Sequence, residues 1–215
     1  MRLDVVTEII NHGKLTEDRS NHLQQALATQ VRHLPPVIWV DGDAADHRLL
    51  AFITEYIELV PATLACVAAS AQEAGLEFLF MPFLQKACSY FLQPSLPITR
   101  HAGLDGLMVR AYQCHRLIEE LYENNLSLRN NDACKLELTP AGLIVHHLIG
   151  EPYANELDQA ALRHLGELVE MPEYYSLDLA PYIATRHGPN WQALSERWAQ
   201  LLPRHGIHLH FPSTP

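Results

Sequence analysis

Apolar residues recur near every 3.6 positions along most of this 215-residue chain, and its 14 prolines cut that rhythm into segments. Such a pattern builds amphipathic helices and leaves little that reads as a strand. The expected fold is therefore all-α, a compact bundle of about eight helices with proline-kinked long helices and a short extended C-terminal tail. Apolar residues make up 48% of the chain, enough for a core that needs no disulfide or metal staple.

Leu3 to His12 reads as a first helix stopped by Gly13, and Thr16 as the cap of a second running from Glu17 to His33. Val37 to Val40 is β-branched and aromatic but isolated, so it reads as an extended connector rather than part of a sheet. Asp43 to Ala74 is the longest helical stretch. Pro61 should kink or divide it, because proline removes a hydrogen bond and collides with the preceding turn. Gly75 to Leu92, interrupted by Pro82, is apolar on nearly every side. Gln93 to Pro97 then breaks the helix, marking a subdivision into 1–93 and 98–215 within what otherwise reads as a single domain, 1–215.

Beyond that break, Leu104 to Leu126 should present Leu104, Leu107, Met108, Ala111, His115, Ile118 and Tyr122 on one core face. Ser127 to Glu137 is a polar loop. Thr139 and Pro140 look like the cap and first position of a helix that runs to Gly150, apolar on all sides and therefore buried. Asn155 to Met171 and Trp191 to Leu201 are amphipathic. The tail from His205 to Phe211 alternates with period two and should lie extended on the helices.

The charge balance narrows the function classes. There are 15 Lys plus Arg against 25 Asp plus Glu, and the basic residues are dispersed, so no cationic surface for nucleic acid or an anionic membrane is expected. The 13 histidines are the unusual count, since protonating all of them would move the net charge from −10 to +3. The N-terminal residues, with Asp4 and Glu8 among them, lack the basic and apolar regions of a secretory signal, and the cytoplasm is the expected compartment. Cys66, Cys88, Cys114 and Cys134 stand far apart with no Cys-x-x-Cys, which suits buried free thiols.

The sharpest candidate site is His146-His147 inside the apolar helix. Adjacent helical residues point about 100° apart, so each imidazole must find its own partner. With His115 and Tyr122 they would line a ligand pocket. A second set, His115, Glu119, His147 and Glu151, would make a carboxylate and imidazole site for iron, manganese or zinc. The Glu-x-x-His spacing of di-iron bundles and the His-Glu-x-x-His motif are both absent from the sequence. His205, His208 and His210 in the tail could also chelate zinc or nickel. Ala51, Glu55, Glu58, Ala62, Ala65 and Ala69 form a stripe that reads as a lightly packed surface.

The first expectation for function is a cytoplasmic binding or regulatory protein, working through a helical surface or an internal apolar pocket on a small apolar molecule or a protein partner. A homodimer is compatible with it. The alternative is a metal-dependent oxidative enzyme built on the four residues named above.

Overall fold

The computed structural model describes residues 2–92, 103–131 and 138–211. The fold is an all-α bundle, with eleven α-helices among the described residues rather than about eight. They are α1 (Leu3–Ser20), α2 (His22–Gln30), α3 (Ala45–Glu73), α4 (Glu77–Leu92), α5 (Leu104–Glu123), α6 (Leu126–Arg129), α7 (Leu138–Ile149), α8 (Tyr153–Leu168), α9 (Met171–Ser176), α10 (Ala180–Thr185) and α11 (Pro189–Arg204). The added elements are short. α6 lies in the stretch read as a loop, and α9 and α10 occupy the proline-marked region before the last helix. The break at 94–97, Cys134 and part of the 127–137 loop lie outside the described residues. α5, from beyond that break, packs on α1, α3 and α4 from before it.

Two expected boundaries move, each for a physical reason. α1 runs straight through Gly13 and ends at Asn21, whose left-handed backbone (φ 50°) lets its N–H donate to the Glu17 carbonyl at 2.7 Å. Asn adopts that conformation more readily than most residues, so it does the work expected of glycine. Gly13 serves packing instead: a Cβ there would sit 2.2 Å from Cδ1 of Leu107 on α5. Thr16 is likewise not a cap, and its hydroxyl donates within the helix to the His12 carbonyl at 2.9 Å.

α3 continues unbroken through Pro61. The lost hydrogen bond costs about 3 kcal/mol in a helix interior, and burial of Tyr56, Ile57, Leu59, Val60, Thr63 and Leu64 around the proline offsets it. α11 runs antiparallel along α3, pinned by two indoles one heptad apart. Trp191 donates to the Ser70 hydroxyl and Trp198 donates to Thr63 Oγ1 at 3.3 Å. At the far end Arg204 and His205 reach Glu55, at 2.6 and 2.9 Å. By length and composition α3 could cross a membrane. Half of its most apolar window is buried in the bundle.

The extended connector and the extended tail find each other. β1 (Ile38–Val40) pairs antiparallel with β2 (Ile207–Leu209), Ile38 opposite Leu209 and Val40 opposite Ile207. Ile38 and Ile207 face the core, while Trp39 and His208 stand opposite one another on the outer face. Neither strand shows its partner locally, which is why the pairing was not expected.

Replacing Gly13 with Ala should lower stability by about 1 kcal/mol, the crowding against Leu107 exceeding the helix-propensity gain. In an L107A background, where the obstacle is gone, G13A should raise stability by a similar amount. Urea unfolding of the four proteins of this cycle measures both signs.

Candidate functional site

Fifteen of the twenty residues of α5 are buried, and several of its polar groups find partners on its own turns and on α7 and α8. The densest knot centres on Arg116. Its Nη1 donates to Glu119 at 2.6 Å, its Nη2 to Glu120 at 2.6 Å and its Nε to Asp158 of α8 at 3.2 Å. Spacings of three and four residues bring the two glutamates over the arginine on the same helix face. Tyr112, one turn earlier, donates its hydroxyl to Asp158 at 2.6 Å, and Thr139 at the start of α7 donates to Glu119 at 2.9 Å. His146 of α7 completes the ring, with Nε2 donating to Asn155 Oδ1 at 3.0 Å and lying 3.5 Å from Asp158.

Tyr112, Arg116, Glu119, Thr139, Gly142, Leu143, His146 and Asp158 line a cleft of about 250 Å³ between α5, α7 and α8. Three carboxylates share one guanidinium, so negative charge is in excess. Burial pushes the carboxyls of Glu119 and Glu120 above their ordinary values, although Arg116 pulls both the other way. For Arg116, burial works against the charge, but the surrounding acids outweigh it and hold the guanidinium more firmly protonated than usual. Leu143, 47% exposed, forms an apolar wall.

The structure places the sequence-predicted residues in four different settings. Glu119 and His146 meet in this cleft. His115 is buried in an aromatic box, its ring 4.7 Å from Tyr56 and 4.8 Å from Trp198, centroid to centroid. Its Nε2 lies 3.2 Å from the Tyr56 carbonyl, and a carbonyl can only accept, so that nitrogen carries the proton. Tyr122 lies in the core, its hydroxyl 2.6 Å from that of Tyr182 and accepting from Arg186 at 3.0 Å. Arg186 stacks on Trp191, 3.3 Å from the ring centre. His147 and Glu151 are exposed. The expectation that α7 is enclosed on every side is therefore corrected: Leu143 and His147 are exposed and His146 is half-buried, because α7 covers the bundle from one side.

His115, Glu119, His147 and Glu151 are not gathered together, and no group of three or more His, Cys, Asp or Glu among the described residues is placed to hold a metal ion. In the tail, His205 turns to Glu55 and His208 to Asp41 at 3.1 Å, while the rings of His208 and His210 are 6.4 Å apart. The Ala and Glu stripe of α3 does lie open. Ala62, Ala65, Cys66 and Ala69 line a shallow depression with Asn190, Ala193, Leu194 and Arg197, and Glu55 and Glu58 line a second with Lys14 and His205.

Sequence reading missed Tyr112, Arg116, Thr139 and Asp158. The spacing of Arg116 to Glu119 and Glu120 was visible, but it looks the same in a solvated helix face. Only the approach of α8 makes it a buried knot. No protein-family model, curated protein or solved structure matches the chain.

Burial lowers the His115 pKa to about 4. Above pH 6.5 neither folded nor unfolded chain protonates this ring. As pH falls below 6.5 the unfolded chain takes up a proton that the folded one refuses, so stability should drop progressively until about pH 4. The loss is about 3 kcal/mol at 1.4 kcal/mol per pH unit. Urea unfolding followed by tryptophan fluorescence from pH 7 to 4 should show this slope, and H115L should lack its His115 component. Separately, Arg116→Leu should destabilise by about 3 kcal/mol by leaving three carboxylates without their cation. Adding E119Q should recover part of that loss, as read by the same assay.

Proposed function

We propose that the chain is a cytoplasmic helical binding protein that acts by holding a ligand, and that the cleft between α5, α7 and α8 receives a cationic headgroup. The observation that carries this reading is the imbalance around Arg116: one guanidinium against Glu119, Glu120 and Asp158, of which Glu119 and Asp158 line a recess with it. A second positive charge entering there meets carboxylate oxygens that Arg116 alone does not neutralise.

The dimensions support a headgroup rather than a whole cofactor. Small-molecule pockets run from about 300 to 1,000 Å³, and this cleft has about 250 Å³. Leu143 offers an apolar surface for the adjoining carbon chain. An alkyl amine or alkyl guanidine satisfies both walls. The cluster suits recognition because its polar groups already close on one another, giving a rigid platform whose geometry survives ligand release. The free thiols of Cys66, Cys88 and Cys114 are consistent with a reducing compartment.

Calorimetric titration with agmatine and cadaverine at low salt tests the proposal. Saturable binding is expected, weakened about tenfold by Asp158→Asn, which keeps the shape of the cleft and removes one charge. Heats that are absent for both probes, or unchanged in D158N, would overturn it.

A further inference from the structure

Glu119, Glu120 and Asp158 offer six carboxylate oxygens around Arg116, and five are taken. Arg116 and Thr139 donate to the two of Glu119, Arg116 and Asn124 to the two of Glu120, and Tyr112 and Arg116 both donate to Oδ1 of Asp158. Oδ2 of Asp158 receives no hydrogen bond among the described residues. His146 stands beside it, its Nε2 3.5 Å away and donating instead to Asn155 Oδ1 at 3.0 Å. Both His146 and Asp158 line the cleft, with side chains 22% and 28% exposed, so solvent reaches the pair.

The charged and titratable groups that line the cleft around His146 are Tyr112, Arg116 and Glu119 of α5 and Asp158 of α8, with the Tyr112 ring 6.1 Å from the imidazole and edge-on. Glu120 bonds Arg116 without lining the cleft, and His147 on α7 itself is exposed. α11 also packs on α7, but among the described residues no hydrogen bond or ion pair joins it to His146. A neutral imidazole with its proton on Nε2 has one N–H to give, and here Asn155 receives it. Imidazole is the side chain that changes charge between pH 5 and 8. A proton arriving at Nδ1 makes the ring a cation, and its Nε2–H then meets in Oδ2 a charged acceptor that outcompetes a neutral amide oxygen.

Resting on the reading of the cleft as a seat for a cationic headgroup, we infer that Asp158 Oδ2 is the oxygen this headgroup takes and that His146 is a proton-operated competitor for it. Neutral, His146 leaves Oδ2 open. Charged, it occupies Oδ2 and repels the incoming cation. By linkage, a headgroup bound there makes the imidazole harder to protonate by the same factor, so binding in mildly acidic solution releases protons.

Calorimetric titration of the full chain with cadaverine, whose amines stay charged throughout this range, at pH 7.5 and 5.5 and fixed low salt tests the inference. The wild-type affinity should fall roughly tenfold across that interval. Burial raises the carboxyls of Glu119 and Glu120, so acid also removes negative charge from the knot, and the share belonging to His146 is read from His146→Gln. That variant keeps a hydrogen-bonding group but takes up no proton, and it should lose most of the pH dependence. Titrations at pH 6.5 in buffers of different ionisation enthalpy count the protons released, which are expected from the wild type and not from H146Q. H146N, smaller and equally neutral, serves where H146Q folds poorly. Absence of binding at pH 7.5 overturns the cleft reading and this inference with it. Binding whose pH dependence and proton release are unchanged in H146Q overturns the competitor alone.

Discussion

Burying a charge is cheap only where another group answers it, and the Arg116 knot of α5 is answered partly from outside the helix. α1, α3, α4, α7 and α8 all pack on α5, and several of its polar residues reach groups on those neighbours. Arg116 requires Asp158 of α8 in addition to its own glutamates. Glu119 requires the Thr139 hydroxyl at the start of α7. His115 requires a carbonyl of α3. The positions of three surrounding helices are thus tied to polar contacts as well as to apolar burial, and the candidate cleft is where two of these ties meet.

α3 and α11 form the other frame. Proline in the middle of a helix removes the N–H that would have bonded to the Ile57 carbonyl, in the same turn whose Tyr56 carbonyl receives His115 from α5. Trp198 of α11 packs edge-on against both Tyr56 and His115. The loosened turn is therefore held by contacts from both α5 and α11. An imidazole held this way stays neutral well below the pH at which a free one protonates, because charge has no solvent to stabilise it there.

Legibility varied with the range of the interaction. The apolar stripes of α5 and α11 were readable, and Leu107, Ala111, Ile118, Trp191, Leu194, Trp198 and Leu201 are all buried. The full enclosure of α5 was not. Its Arg and Glu residues made one side look solvated, whereas they neutralise one another at spacings of three and four and can be covered. Gly13 was read as a stop because glycine usually is one. The neighbour that requires it, Leu107, lies 94 residues away in sequence. Of the adjacent pair, His147 was the one expected in a metal set, yet the 100° between them put His146 against α8 and left His147 exposed.

The chain by itself determined that this is an all-α bundle and which stripes enter the core, because a 3.6-residue period and proline punctuation act within a few residues of each other. Tertiary structure alone decided which charged residues are buried, which glycine is a contact rather than an end, and that residues 38–40 and 207–209 become partners. Those outcomes depend on separations across space, and a side chain's chemistry is set by what lies beside it once folded, not by what precedes it in the chain.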